Sequence, residues 1–167
     1  MYIGKRQYIS DTIDISERYF SISEKDEMAA VLLEEKGLYN QAAYFYIQSM
    51  EKQVKAHIAQ KVNVINSYFA EEMRKTMGHS LDESLKLLFK IYSGNDETLF
   101  THLFQQLTHQ VFQNVKFTAL HNKVRYPTYN SRYQNYTELI LSANDCYELR
   151  KMLSLLKQYL DSLGRIK

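Results

Sequence analysis

The sequence predicts an all-α protein, an up-and-down bundle of about five helices. Three observations carry that prediction. Five Gly and one Pro are too few turn residues for an all-β chain, which needs punctuation every roughly 8–12 residues. Apolar residues recur in steps of three and four along several stretches, the period of a helix with one buried face. With 45% apolar and 24% charged residues, the 167-residue chain is neither a disordered tail nor a low-complexity polymer, and its length suits one domain with one core. No apolar run approaches the roughly 18 residues that span a bilayer, and Met1-Tyr2-Ile3-Gly4-Lys5-Arg6 opens no signal-like apolar core. A cytoplasmic protein without membrane contact is expected. Cys146 is the single cysteine, so no internal disulfide or thiolate metal site is expected and stability rests on packing.

Residues 1–22 form the first segment. Ile3, Tyr8, Ile13, Ile15, Tyr19 and Phe20 make it too apolar for a free tail, and it is expected to pack on the bundle or on a partner. Residues 23–163 are expected to form the helical domain. Its first helix starts at Ser23, a plausible N-cap followed by Glu24, Asp26 and Glu27. It ends near Lys36, because Gly37 suits a left-handed C-terminal position. A second helix starts at Tyr39 or Asn40, and Ala43, Tyr46, Met50, Val54, Ile58, Val62, Ile65 and Phe69 hold one face for nearly thirty residues. Lys52, Lys55 and Lys61 fall beside or away from that stripe, which lets their ammonium groups reach water.

Ser80, with Glu83 three residues on, has the form of a capping box and opens a third helix over 81–92. Ser93-Gly94-Asn95-Asp96 is a turn cluster, after which Phe100, Leu103, Leu107, Val111 and Val115 give a fourth helical stripe. The stretch 117–134 has no clean period, contains Pro127 and reads as irregular. A last helix over 142–163 places Leu149, Met152, Leu153, Leu156, Leu160 and Leu163 on one face and stops before Gly164. Cys146 reads as a small buried hydrophobe at its head.

The net charge of +2 hides an asymmetry: residues 1–51 hold five Lys/Arg against nine Asp/Glu, and residues 52–167 hold sixteen against ten. The later part is mildly basic, which suits an anionic ligand or a solvated surface. Enzyme signatures are missing: no Gly-rich phosphate loop, no dinucleotide-binding glycines, no nucleophile elbow and no His-Glu-x-x-His. His102 and His109 sit seven apart on the fourth helix, about 10 Å along its axis and too far to share one metal. No metal or cofactor is expected.

Several short phrases occur in a telling order. Leu33-x-x-x-Gly37-x-Tyr39-x-x-Ala42 is followed by Gln48-Ser49-x-Glu51-Lys52-x-x-Lys55-Ala56, then by Thr76-x-x-His79-Ser80-Leu81-x-x-x-Leu85, and finally by Arg125-Tyr126-Pro127. In this order they resemble the HEPN (higher eukaryotes and prokaryotes nucleotide-binding) family, whose opening hairpin, turn into the third helix and Arg-Tyr-Pro before the last helix are similar. The resemblance spans residues 23–163. It implies a helical bundle, commonly a homodimer, that works on or near nucleotides or RNA. Many members are metal-independent ribonucleases with an Arg and a His separated by four to six intervening residues at a dimer cleft, often toxins paired with a nucleotidyltransferase antitoxin. Others bind nucleotides or partners without turnover. This chain departs from the nuclease pattern in His121-Asn122-Lys123-Val124-Arg125-Tyr126, with His in the place of Arg.

Arg125, Tyr126 and Arg132 are candidates for ligand binding, because guanidinium groups pair bidentately with phosphate and tyrosine rings stack on bases. Lys52 and Lys55, nearly one turn apart, could meet an anion. Arg74 and His79 match the nuclease spacing literally. His79 at a helix N-terminus would be kept neutral and could take a proton from a ribose 2′-hydroxyl, with Arg74 neutralising the phosphate. The same two residues also fit a turn cap and a solvated helix-end charge. Three readings follow: a nucleotide- or RNA-phosphate-binding module, an endoribonuclease using Arg74 and His79, and a partner-binding subunit, for instance of a nucleotidyltransferase.

Overall fold

The computed structural model describes residues 3–5, 7–9, 11–74, 78 and 80–163. Among them lie α1 (Thr12–Glu35), α2 (Tyr39–Lys61), α3 (Ser67–Glu72), α4 (Leu81–Ser93), α5 (Glu97–Gln106), α6 (Phe117–Lys123), a hairpin of β1 (Thr128–Asn130) and β2 (Asn135–Thr137), and α7 (Ala143–Leu163). The all-α bundle expected from the sequence is present, with seven α-helices among the described residues because the short α3 and α6 add to the five long ones.

The first helix begins at Thr12 rather than at Ser23. Asp11 caps it, accepting a hydrogen bond from Ile13 N at 2.8 Å, and Asp14 places a negative charge in its first turn. The boundary expected between residues 22 and 23 therefore falls inside one continuous helix. Ser23 is a buried residue in its middle: Ser23 Oγ lies 2.9 Å from Ser49 Oγ, Ser49 Oγ donates to Ser23 O at 2.9 Å, and Gln53 Nε2 donates to Ser23 Oγ at 2.9 Å. These bonds fasten α1 to α2 midway along both. At the other end the expected break occurs, with Gly37 at φ +74. Leu38 N donates to Leu33 O and Gly37 N to Glu34 O, both at 2.9 Å, which is the paired closure of a Schellman turn.

α2 is the central element and touches α1, α4, α6 and α7. Tyr46, Ile47, Met50, Val54 and Ile58 are buried on its apolar side, each such side chain contributing roughly 1.5–3 kcal/mol by removal from water. The helix stops at Lys61, short of the expected thirty residues, because Val62 is extended (φ −132, ψ 154). Beyond it Asn63 Oδ1 accepts from Ile65 N at 3.0 Å and Asn66 Oδ1 from Tyr68 N at 2.9 Å. These side chains offer the backbone an alternative to helical bonding.

α4 starts where the capping box places it, with Glu83 N donating to Ser80 Oγ at 3.3 Å. α5 is capped by Asp96, which accepts from Leu99 N at 2.9 Å. It then runs into a π turn, Leu107–Val111, closed by Phe112 N on Leu107 O. Gln113 and Asn114, at φ +48 and +64, end it.

The stretch expected to be irregular contains α6 and the hairpin. In the hairpin Thr128 pairs with Thr137, Tyr129 with Tyr136 and Asn130 with Asn135. Three-residue strands are too short to show a period. Asn40, at the start of α2, holds the exit of the hairpin: its Nδ2 donates to Leu139 O at 2.6 Å and its Oδ1 accepts from Leu141 N at 2.9 Å. Ser142 and Asp145 then open α7 with reciprocal bonds, Ser142 N to Asp145 Oδ2 at 2.7 Å and Asp145 N to Ser142 Oγ at 3.4 Å. Cys146 is buried as expected, and burial first, then Glu34 and Asp145, push its thiol up to about 11. No described helix is long and apolar enough to cross a membrane.

His57, on α2, packs edge-on against Phe20 of α1 with ring centroids 5.3 Å apart. Burial lowers its pKa from 6.5, with Lys61 adding to the effect and Asp161 opposing it. The unfolded chain therefore binds a proton near pH 6.5 that the folded chain resists. This contribution to stability is complete above 6.5 and is lost as pH falls through the lower folded value. Thermal unfolding followed between pH 7 and about 5 should show a falling midpoint, and His57→Gln should flatten that fall.

Candidate functional site

One side of α2 is polar even though it is covered. Tyr44, Gln48, Glu51, Lys52 and Lys55 recur in steps of one, three and four and so share a face of the helix. Glu51 is 2% exposed and Lys55 6%, and burial at that depth requires partners. Lys55 Nζ lies 2.7 Å from Glu51 Oε1 and donates to Gly78 O at 2.7 Å. This departs from the expectation that its ammonium reaches water: it is buried and bonded to Glu51 and to the Gly78 carbonyl. Lys52, half-buried, forms an ion pair with Asp26 of α1 at 2.6 Å and donates to Gln48 Oε1 at 2.9 Å.

These contacts fix the orientation of the Gln48 amide. A lysine only donates, so Oε1 is the atom that meets Lys52, and Nε2 faces Glu51 Oε2 at 3.4 Å and His121 Nε2 at 3.1 Å. The pattern assigns the neutral tautomer to buried His121, with its Nε2 accepting and its proton on Nδ1. The imidazole is thus held by α2 although it belongs to α6. Tyr19 of α1 also feels this polar face: burial first, and then the charge of Glu51, raise its phenol.

Outside this buried row the chain of contacts continues to the surface. The Tyr44 ring lies 5.3 Å from that of His121. The Arg125 guanidinium stands 5.1 Å from the Tyr44 ring centre and 4.8 Å from that of Tyr126. Arg125 Nη2 donates to Tyr126 Oη at 2.7 Å. Arg125 comes just after Val124, the C-cap of α6, and its amide donates to Asn122 O at 3.1 Å. The side chain is exposed, and no carboxylate among the described residues pairs with it. Two aromatic rings therefore restrain a planar fork of N–H donors while leaving most of its donors to solvent.

Of the residues singled out in the sequence, Lys52, Lys55, Arg125 and Tyr126 fall on this one connected path. The two lysines are occupied by Asp26 and Glu51, so the capacity to meet an external anion lies with Arg125. Arg132 stands apart, at the tip of the hairpin, with its guanidinium 5.6 Å from the Tyr133 ring centre. Arg74, exposed just beyond α3, lines a cavity of about 260 Å³ with Ile15, Tyr19, Val64, Ala70 and Met73. His79 lies outside the described residues. His102 and His109 are both exposed, and among the described residues no cluster of His, Cys, Asp or Glu is placed to hold a metal ion.

Tyr44, Gln48, Glu51 and His121 were not candidates from sequence. A signal existed, because Tyr44, Gln48, Glu51, Lys52 and Lys55 follow helical spacing on a helix that also carries a full apolar stripe. No family model, no curated protein and no solved structure matches this chain. Its function is to be read from the site.

The buried Glu51–Lys55 pair should behave as a coupled unit in denaturant unfolding. Glu51→Ala or Lys55→Ala leaves the other charge buried and should cost about 3–5 kcal/mol. Glu51→Leu combined with Lys55→Met should cost less than the two single changes together, and additive losses would show that the pair is not coupled.

Proposed function

We propose that this chain is a HEPN-like helical module that binds a nucleotide or RNA phosphate through Arg125, without turnover of its own. The observation that carries this reading is the exposed Arg125 guanidinium, restrained between Tyr44 and Tyr126 with no carboxylate partner among the described residues. A guanidinium with free N–H groups donates bidentately to phosphate oxygens, and a fork already restrained loses little entropy on binding. The surrounding sequence favours an anion. Residues 98–137 contain no Asp or Glu but hold Lys116, Lys123, Arg125 and Arg132, so the stretch itself carries a positive charge. Tyr126 adds a ring on which a base can stack. His121, with its Nε2 engaged by Gln48, acts in this reading as a support for Tyr44 and not as a base.

The resemblance to HEPN proteins adds a homodimer and a nucleotidyltransferase partner to the proposal, and a cytoplasmic setting is proposed from the sequence. The ribonuclease reading has one observation in its favour: Gly78, the residue before His79 in the chain, accepts a hydrogen bond from Lys55 Nζ.

Calorimetry with ATP and fluorescence anisotropy with a labelled RNA should both report binding by the wild-type chain. Arg125→Ala should weaken it about tenfold or more, and Arg125→Lys should not restore it, because an ammonium lacks the fork. Unchanged affinity in Arg125→Ala would remove the basis of the reading. RNA incubated with the protein in EDTA should stay intact. Cleavage that disappears in His79→Ala would favour the nuclease instead.

A further inference from the structure

The hairpin raises a question that the Arg125 site leaves open. Tyr126, Tyr129, Tyr133 and Tyr136 lie within eleven residues, and their exposure runs from 53% to 71%. Tyrosine is ordinarily drawn into cores and interfaces by the size of its ring, so three such rings left in water on one small hairpin, with Tyr126 just before it, point to a ligand. Resting on the reading above, we propose that the hairpin is a base-stacking arm, and that the ligand is single-stranded nucleic acid whose phosphates meet Arg125 and Arg132 while its bases stack on Tyr129, Tyr133 and Tyr136.

The strand register sets the geometry of the arm. Tyr129 is directly opposite Tyr136, so both project from the same face of the ribbon. Their ring centres are 5.3 Å apart in an edge-to-face contact, which occupies one ring face and leaves the others open for bases. The tip is fixed as well. Asn130 Oδ1 accepts from Arg132 N at 3.1 Å and from Tyr133 N at 3.4 Å, and Gln134 takes the left-handed conformation at φ +49 that closes the turn. This puts Arg132 beside Tyr133 at the end of the arm. At the other end Asn40 grips the backbone on both sides of Ile140. An arm held at both tip and base presents its rings at little entropic cost.

Charge selects the occupant. Aromatic rings interleaved with cations, in a stretch without acids, are what a single strand needs: stacking for successive bases and neutralisation for the phosphates between them. A duplex hides its base faces. A second copy of the chain meeting this face about a two-fold axis would bring the same arginines toward one another. Glu138, the first acid after β2, lies at the base of the arm, where it shares a cavity of about 400 Å³ with Lys123 and Thr128.

The test is fluorescence anisotropy of the full chain with labelled single-stranded RNA, single-stranded DNA and duplex RNA, with ATP as the mononucleotide. Tyr129→Val with Tyr136→Val, which keeps strand propensity, should weaken single-strand binding roughly tenfold or more and leave ATP affinity unchanged. Tyr129→Phe with Tyr136→Phe should bind like the wild type, because the ring and not the hydroxyl is used. Arg125→Ala should weaken both ligands. If the valine pair leaves single-strand affinity intact while Arg125→Ala still weakens it, the arm is overturned and the phosphate site stands. If Arg125→Ala has no effect on either ligand, the underlying reading has failed. Equal affinity for duplex and single strand overturns the proposal, as does loss of a sedimenting dimer in the valine pair without loss of oligonucleotide binding.

Discussion

A row of polar and charged side chains lies along the covered side of α2, and much of the molecule is arranged to satisfy it. An uncompensated charge at that depth would cost several kcal/mol, so each element packed there supplies a partner. Asp26 of α1 answers Lys52, the Gly78 carbonyl answers Lys55, and His121 of α6 meets Gln48. The opposite side of the same helix carries the apolar core. α2 thus packs by shape on one side and by specific pairing on the other. The pairing side determines which residues of α1 and α6 can face it.

That constraint extends outward. His121 is fixed by Gln48, Tyr44 packs against His121, and Arg125 rests on Tyr44. A surface arginine is ordinarily free to sample many rotamers, at an entropy of about 2 kcal/mol. Here its plane is restrained by contacts that trace back, side chain by side chain, to the buried ion pair. The group proposed to meet phosphate is therefore one whose orientation is decided in the interior.

Much of the architecture was legible in the sequence, and the reasons for the exceptions are physical. Gly37, Ser80, Gly94 and the Leu149–Leu163 stripe marked real boundaries because glycine and capping chemistry act locally. Ser23 misled because a serine followed by acids looks like a cap, whereas the contact that uses it comes from Ser49 and Gln53, distant in sequence. The hairpin was missed because its strands are three residues long and its turn is built by Asn130 without glycine. Within the site, Arg125 and Tyr126 could be named from their chemistry. Lys55 could not be placed, since its partner carbonyl at Gly78 is 23 residues away, and His121 gave no sign that it would sit against α2.

The π turn after α5 leaves a trace of another kind. Five residues there, Leu107–Val111, close on Leu107 O through Phe112 N, so the segment holds one residue more than an α-helix of the same rise. Removing a single residue would let this turn close with α geometry and keep Val111 and Phe112 on the core side. In a distant relative built without the bulge, the difference would be a one-position gap inside an otherwise continuous helical period. Such a gap, with the apolar pattern in phase on both sides once it is allowed for, is a mark of common ancestry that short motif phrases cannot supply.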